Sequence, residues 1–94
     1  MKLKILSSAI DDLHAGHVFY ESQDVGLGDY FFDSLFSDID SLQLYAGVHP
    51  IVFGHYRLLS KRFPYAVYYT VEEDVTIVRR VLDLRRNPAR IRGE

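Results

Sequence analysis

The residues with the most chemical potential are the cations of the C-terminal half. Arg57, Lys61 and Arg62 fall within one short stretch, Arg79 and Arg80 are adjacent, and Arg85, Arg86, Arg90 and Arg92 follow. Guanidinium groups bind phosphate and carboxylate in a bidentate manner, and several gathered on one surface form an anion-docking patch. Tyr65, Tyr68 and Tyr69 are interleaved with these cations. A Tyr beside an Arg can stack on a base, and it is equally an ordinary strand residue. Two readings stand side by side. One is a solvated basic face paired with helix acids, and the other is a docking patch for phosphate or an acidic partner.

Other chemistries have less support. His14 and His17 are i, i+3 on a helix, a spacing that can bring two imidazoles to one metal. No carboxylate completes the set at a suitable spacing, and neither HExxH nor a Cys/His pattern is present, so no metal is expected. The pair reads more simply as helix-face His packing beside aromatics, and His49, next to Pro50, as a loop residue. Gly26 and Gly28 lack the preceding strand and the later glycine of a dinucleotide fingerprint, and no small-molecule cofactor is expected.

The charge distribution supports the emphasis on the second half. The formal net charge is -2, which disfavours strong sequence-independent binding to nucleic acid. Of 11 Lys and Arg, only Lys2 and Lys4 precede Val52, whereas acids outnumber bases in that first half. An acidic front and a basic back are therefore expected as separate surfaces. There is no Cys, hence no disulfide framework. The Lys2–Leu6 start is basic then apolar, but it stops at Ser7 and acids follow at Asp11 and Asp12, too short for a signal sequence. No run approaches the ~20 apolar residues that span a bilayer. These features predict a cytoplasmic protein that makes no membrane contact.

The elements that must position the cations follow from periodicity. Lys2 to Leu6 alternates as a short strand. Ser7 or Ser8 is expected to cap a helix over residues 9–22, with Ile10, Leu13, His17 and Tyr20 on one face. Gly26-Leu27-Gly28 opens a second helix whose stripe is Phe31, Leu35, Ile39 and Leu42, stopped near Gly47 and Pro50. The period then changes to that of strands over residues 52–61, 65–71 and 75–84, with turns at Phe63-Pro64 and Glu72-Glu73-Asp74. Strand alternation puts Arg57 and Lys61 on one face and Arg62 on the other, and splits Arg79 from Arg80. The prediction is one α+β domain over residues 1–94. An N-terminal strand at the sheet edge and a two-helix antiparallel hairpin pack on a three- to four-stranded antiparallel sheet.

Two segments carry a family resemblance. Tyr56-Arg57-Leu58-Leu59-Ser60-Lys61-Arg62-Phe63-Pro64-Tyr65 runs on into Ala66-Val67-Tyr68-Tyr69, and Val81-Leu82-Asp83-Leu84 runs into Arg85-Arg86-Asn87-Pro88. Together with Tyr20 to Gln23, Gly26-Leu27-Gly28 and Phe31, they resemble the RelE/ParE superfamily of toxins from bacterial toxin–antitoxin systems, and the Phe-Pro-Tyr segment is similar to the ParE-like branch. The resemblance implies a non-catalytic protein that inhibits DNA gyrase by binding, serves plasmid stabilisation, and is neutralised by a ParD-like or RelB-like antitoxin. A face built by Arg57, Lys61, Arg79 and Arg86 is the expected partner contact. The alternative it implies is a RelE-like endoribonuclease that cuts mRNA on the ribosome. Arg57, Lys61, Arg62 and Arg86 would then hold phosphate, and Asp83 or His55 would move protons. Asp83 stands where many relatives carry His, and no Tyr follows Arg86. An ionised carboxylate is a poor proton donor, so both departures favour the gyrase reading. A member that retains only antitoxin binding is a third option.

Overall fold

The computed structural model describes residues 2–85. Arg86, Arg90, Arg92 and the expected exit at Pro88 lie outside the described residues. The chain runs β1 (Lys2–Ile5), α1 (Ser7–Glu21), α2 (Leu27–Asp40), α3 (Leu42–Tyr45), β2 (Ile51–Val52), β3 (His55–Leu59), β4 (Tyr65–Glu72) and β5 (Val75–Asp83). The strands form one five-stranded sheet in the order β1-β5-β4-β3-β2. The α+β architecture is as expected, but the sheet is larger and mixed.

Two differences enlarge it. β1 does take the edge, yet it runs parallel to β5, with Ile5 opposite Val78. The chain between them is long enough for the crossover that a parallel pair requires. The expected strand over residues 52–61 is instead a hairpin. Phe53 and Gly54 both adopt positive φ, 54° and 79°, and join β2 to β3. Two consecutive residues of that kind make the tight turn whose twist matches paired strands.

The helical hairpin is built around close approach. Gly28 sits where a Cβ would lie 2.7 Å from the His17 carbonyl oxygen, so α1 and α2 touch through backbone. A Cβ on Gly16 would lie 2.5 Å from the Phe31 ring. The Glu21 carboxylate accepts the Gly26 and Gly28 N–H groups at 3.0 and 2.9 Å, satisfying donors at the start of α2. Neither Ser7 nor Ser8 caps α1. Leu6 occupies that position, and Ser8 Oγ instead donates to the Arg79 carbonyl at 2.7 Å, tying α1 to β5.

The core lies between the helices and one sheet face. Phe31, Leu35, Ile39 and Leu42 from the α2–α3 stripe are fully buried with Leu13, Val67, Tyr69, Val78 and Val81. On β4, Tyr65, Val67 and Tyr69 point to the helices, while Ala66 and Tyr68 join a second small cluster with Leu82 on the other face. We call these the inner and outer faces.

Candidate functional site

The outer face collects part of the predicted basic set. Arg57 stands opposite Tyr68, and Tyr68 stands opposite Arg80, so the three align across β3, β4 and β5. His55 is two residues from Arg57 on the same strand, and its ring meets that of Tyr68 edge-on at 6.4 Å. Leu3 and Ile5 pack into the core, which leaves Lys2 and Lys4 of β1 on the outer side. Arg79 belongs here too. Its Nε donates to Thr70 Oγ1 at 2.9 Å and its guanidinium pairs with Glu72 at 2.6 Å, both on outer positions of β4.

Arg57 differs from its neighbours in how it is satisfied. Arg79 has Glu72, Arg80 has Asp12 and Arg85 has Asp83. Arg57 has no acidic partner among the described residues, and its Nε is buried without a hydrogen bond. Buried donors in folded proteins are nearly always paired, so an unpaired guanidinium donor here is an exception to the rule.

Beside Arg57, Ala66, Tyr68 and Leu82 are 0%, 5% and 8% exposed, and Phe53 packs against them. A bulky residue at positive φ is strained by about 1–2 kcal/mol, and here Phe53 is held in that state at the rim of the outer face. His55 Nδ1 lies 3.0 Å from the Phe53 carbonyl oxygen. A carbonyl only accepts, so Nδ1 carries the hydrogen and Nε2 of the neutral ring keeps its lone pair.

The other predicted residues go elsewhere. β3 ends at Leu59, so alternation does not extend to Lys61, which is exposed in the bend before Phe63. Arg62 turns toward the helices, where its guanidinium donates to the Tyr30 hydroxyl at 2.8 Å and lies 5.8 Å from the ring centre. Arg80, although aligned with Tyr68, reaches Asp12 of α1 through two hydrogen bonds of 2.7 and 2.9 Å. Asp83 stands opposite Tyr65, a core residue, and is therefore on the inner face. Its carboxylate accepts from the Arg85 backbone and side chain and, by that hydrogen bond, holds the Arg85 pKa above its ordinary value. The expected grouping of Asp83 with Arg57 does not form.

The cause is a register shift between Tyr68 and Tyr69, which adds a residue to β5 near Arg79. Arg79 and Asp83 are four apart and share a face under strict alternation. The extra residue inverts the parity, and they point to opposite sides.

A cleft of about 320 Å³ opens between α1 and β5, lined by Asp12, Gly16, Phe19, Tyr65, Leu82 and Asp83. Both of its carboxylates already hold arginines. Among the described residues no group of three or more His, Asp or Glu could hold a metal ion, and no helix is long and apolar enough to cross a membrane.

No protein-family model matches the sequence, and no curated protein matches it. Among solved structures, a chain of the chromosomal ParDE TA system from P. aeruginosa is similar over 86% of this chain and 92% of that one, with a TM-score of 0.73 and 22% sequence identity. At that identity the likeness establishes a shared fold.

Proposed function

We propose that this protein is the toxin of a type II toxin–antitoxin system, ParE-like, and that it inhibits DNA gyrase by binding rather than by catalysis. The observation that carries the reading is Arg57, half-buried on the outer face without an acidic partner among the described residues, in a fold shared with a chain of a ParDE system. Arg79, Lys2 and Lys4 extend the positive potential around it, which steers an acidic partner and fixes its orientation. Arg57 and Arg79 on the outer face are the proposed contact residues, joined by Lys61 from the exposed bend beyond β3 and by Arg86, which is outside the described part of the chain. A ParD-like or RelB-like antitoxin neutralises the protein by covering the same chain, and the complex belongs in the cytoplasm. The test is a gyrase supercoiling assay with purified protein. Inhibition that rises with protein concentration supports the reading, and unchanged supercoiling at stoichiometric excess defeats it.

One observation favours a second reading. His55, with a free Nε2, shares a face with Arg57 and Tyr68, an arrangement suited to removing a proton from a ribose 2′-hydroxyl beside a bound phosphate. In this ribonuclease alternative, acting on ribosome-bound mRNA, His55 replaces Asp83 as the base and Arg62 has no part. Primer extension on translated messages separates the two. New 5′ ends in arrested cells indicate cleavage, and intact messages indicate the gyrase route.

A further inference from the structure

The segment from Ser41 to Tyr56 contains no Asp, Glu, Lys or Arg, in a chain that is 26% charged. Four of its large side chains point outward: Leu44 is 82% exposed, Tyr45 56%, Val48 71% and Ile51 66%, while Leu42 is buried in the core. Two polar groups of its turn point inward. The Gly47 N–H donates to the Tyr69 hydroxyl at 2.9 Å, and His49 Nδ1 pairs with the same oxygen. Tyr69 is fully buried, so its hydroxyl is a fixed anchor in the sheet. Gly47, at φ 93°, makes the turn that allows this. A free surface loop is arranged the other way, with apolar groups in and polar groups out. Large apolar groups held toward water mark a docking surface.

The sheet edges point the same way. β1 and β2 are the two edges. Exposed edges are ordinarily guarded by charge, Lys above all. β1 carries Lys2 and Lys4, whereas β2 is Ile51-Val52 and carries no charge of its own, the nearest being Arg57 of β3, whose N–H donates to the Pro50 carbonyl at 2.9 Å and whose side chain is on the outer face.

We infer that the β2 edge, with Leu44, Tyr45, Val48 and Ile51, docks a second copy of this chain about a two-fold axis. Such an interface brings each patch against itself, so a patch of one charge repels its own copy. The acidic helices and the basic outer face have that defect, and the segment from Ser41 to Tyr56 lacks it. In the dimer, β2 of one copy pairs antiparallel with β2 of the other, and the four apolar side chains of each copy cover those of its mate. This inference stands apart from the target proposed above.

The experiment is sedimentation equilibrium on the purified full chain over about 1–100 μM, a range that captures modest specific interfaces. The expected result is a concentration-dependent rise to twice the chain mass. Val48→Asp and Ile51→Lys, at exposed sites, each weaken association at least tenfold, with thermal melting unchanged at concentrations where the native chain is monomeric. Leu44→Asp on α3 serves as an independent third variant. A chain that stays monomeric throughout overturns the proposal. So does a dimer that survives all three substitutions, and so does a monomer that uses this patch only to hold a different protein.

Discussion

Arg57 and Asp83 point from opposite faces of one sheet. The first stands opposite Tyr68 on the outer face, and the second stands opposite Tyr65 on the core side. A mechanism that needs both at one phosphate has no geometric basis, whereas a binding role for Arg57 needs only its own face.

Among the described residues the Asp12–Arg80 pair is the most buried ion pair. Both side chains are almost buried, 12% and 11% exposed, and Asp12 also accepts the Val81 N–H at 2.9 Å. Removing the acid withdraws a charged acceptor from a buried guanidinium and from a strand N–H together. Asp12→Ala is expected to cost about 3–5 kcal/mol, as buried pairs do when one member is deleted. Urea denaturation reads this directly. By contrast Arg79–Glu72, with both partners partly exposed, is expected to contribute no more than about 1 kcal/mol.

Gly28→Ala tests the helix crossing. The new Cβ meets the His17 carbonyl at 2.7 Å, and backbone cannot rotate aside as a side chain can. Separation of α1 from α2 is expected to cost about 1–3 kcal/mol, despite the better helix propensity of Ala. Thermal melting of the variant, monitored by circular dichroism, measures the loss.

His49 introduces a pH dependence. Burial lowers its pKa below the ordinary 6.5. Its partner, the Tyr69 hydroxyl, is pushed up by burial and already accepts from Gly47, so it is suited to donate to a neutral ring. A depressed folded-state pKa means that the stabilisation is complete above pH 6.5 and is lost as pH falls toward the folded value. Urea midpoints for the native chain are expected to drop between neutral and mildly acidic pH, and His49→Asn is expected to flatten that drop. An equal slope in both proteins contradicts the assignment. Tyr69→Phe leaves the Gly47 N–H without its acceptor, and about 1–3 kcal/mol is expected to be lost at neutral pH.

What the sequence made legible follows from which signals survive packing. The Phe31, Leu35, Ile39, Leu42 stripe reads correctly because large apolar residues at a 3.6 period have one place to go. The α1 stripe was displaced. Ala9, Leu13, Gly16 and Tyr20 are the buried positions, because contact with Phe31 selects a residue without a side chain, which hydrophobicity does not mark. The Phe53-Gly54 turn carries none of the usual Asn-Gly or Asp-Gly signal, so the β2–β3 hairpin read as one strand. Alternation placed the β4 side chains correctly and failed on β5, where the extra residue near Arg79 exchanged the faces of everything beyond it. Arg57 and Arg79 therefore share the outer face, and Asp83 does not. His55 was named through the family resemblance alone, and Phe53, which packs on the outer face, carries no sequence signal that marks it in advance.

The outer face, and Arg57 in particular, is the proposed place of functional contact. Arg57→Ala and Asp83→Asn, compared in the gyrase supercoiling assay after matched thermal melts, test it most directly. Arg57→Ala is expected to weaken inhibition at least tenfold, the ~1.4 kcal/mol or more that follows from losing a charge-assisted contact, while Asp83→Asn inhibits like the native chain. Full inhibition by Arg57→Ala, or its loss in a folded Asp83→Asn, contradicts it.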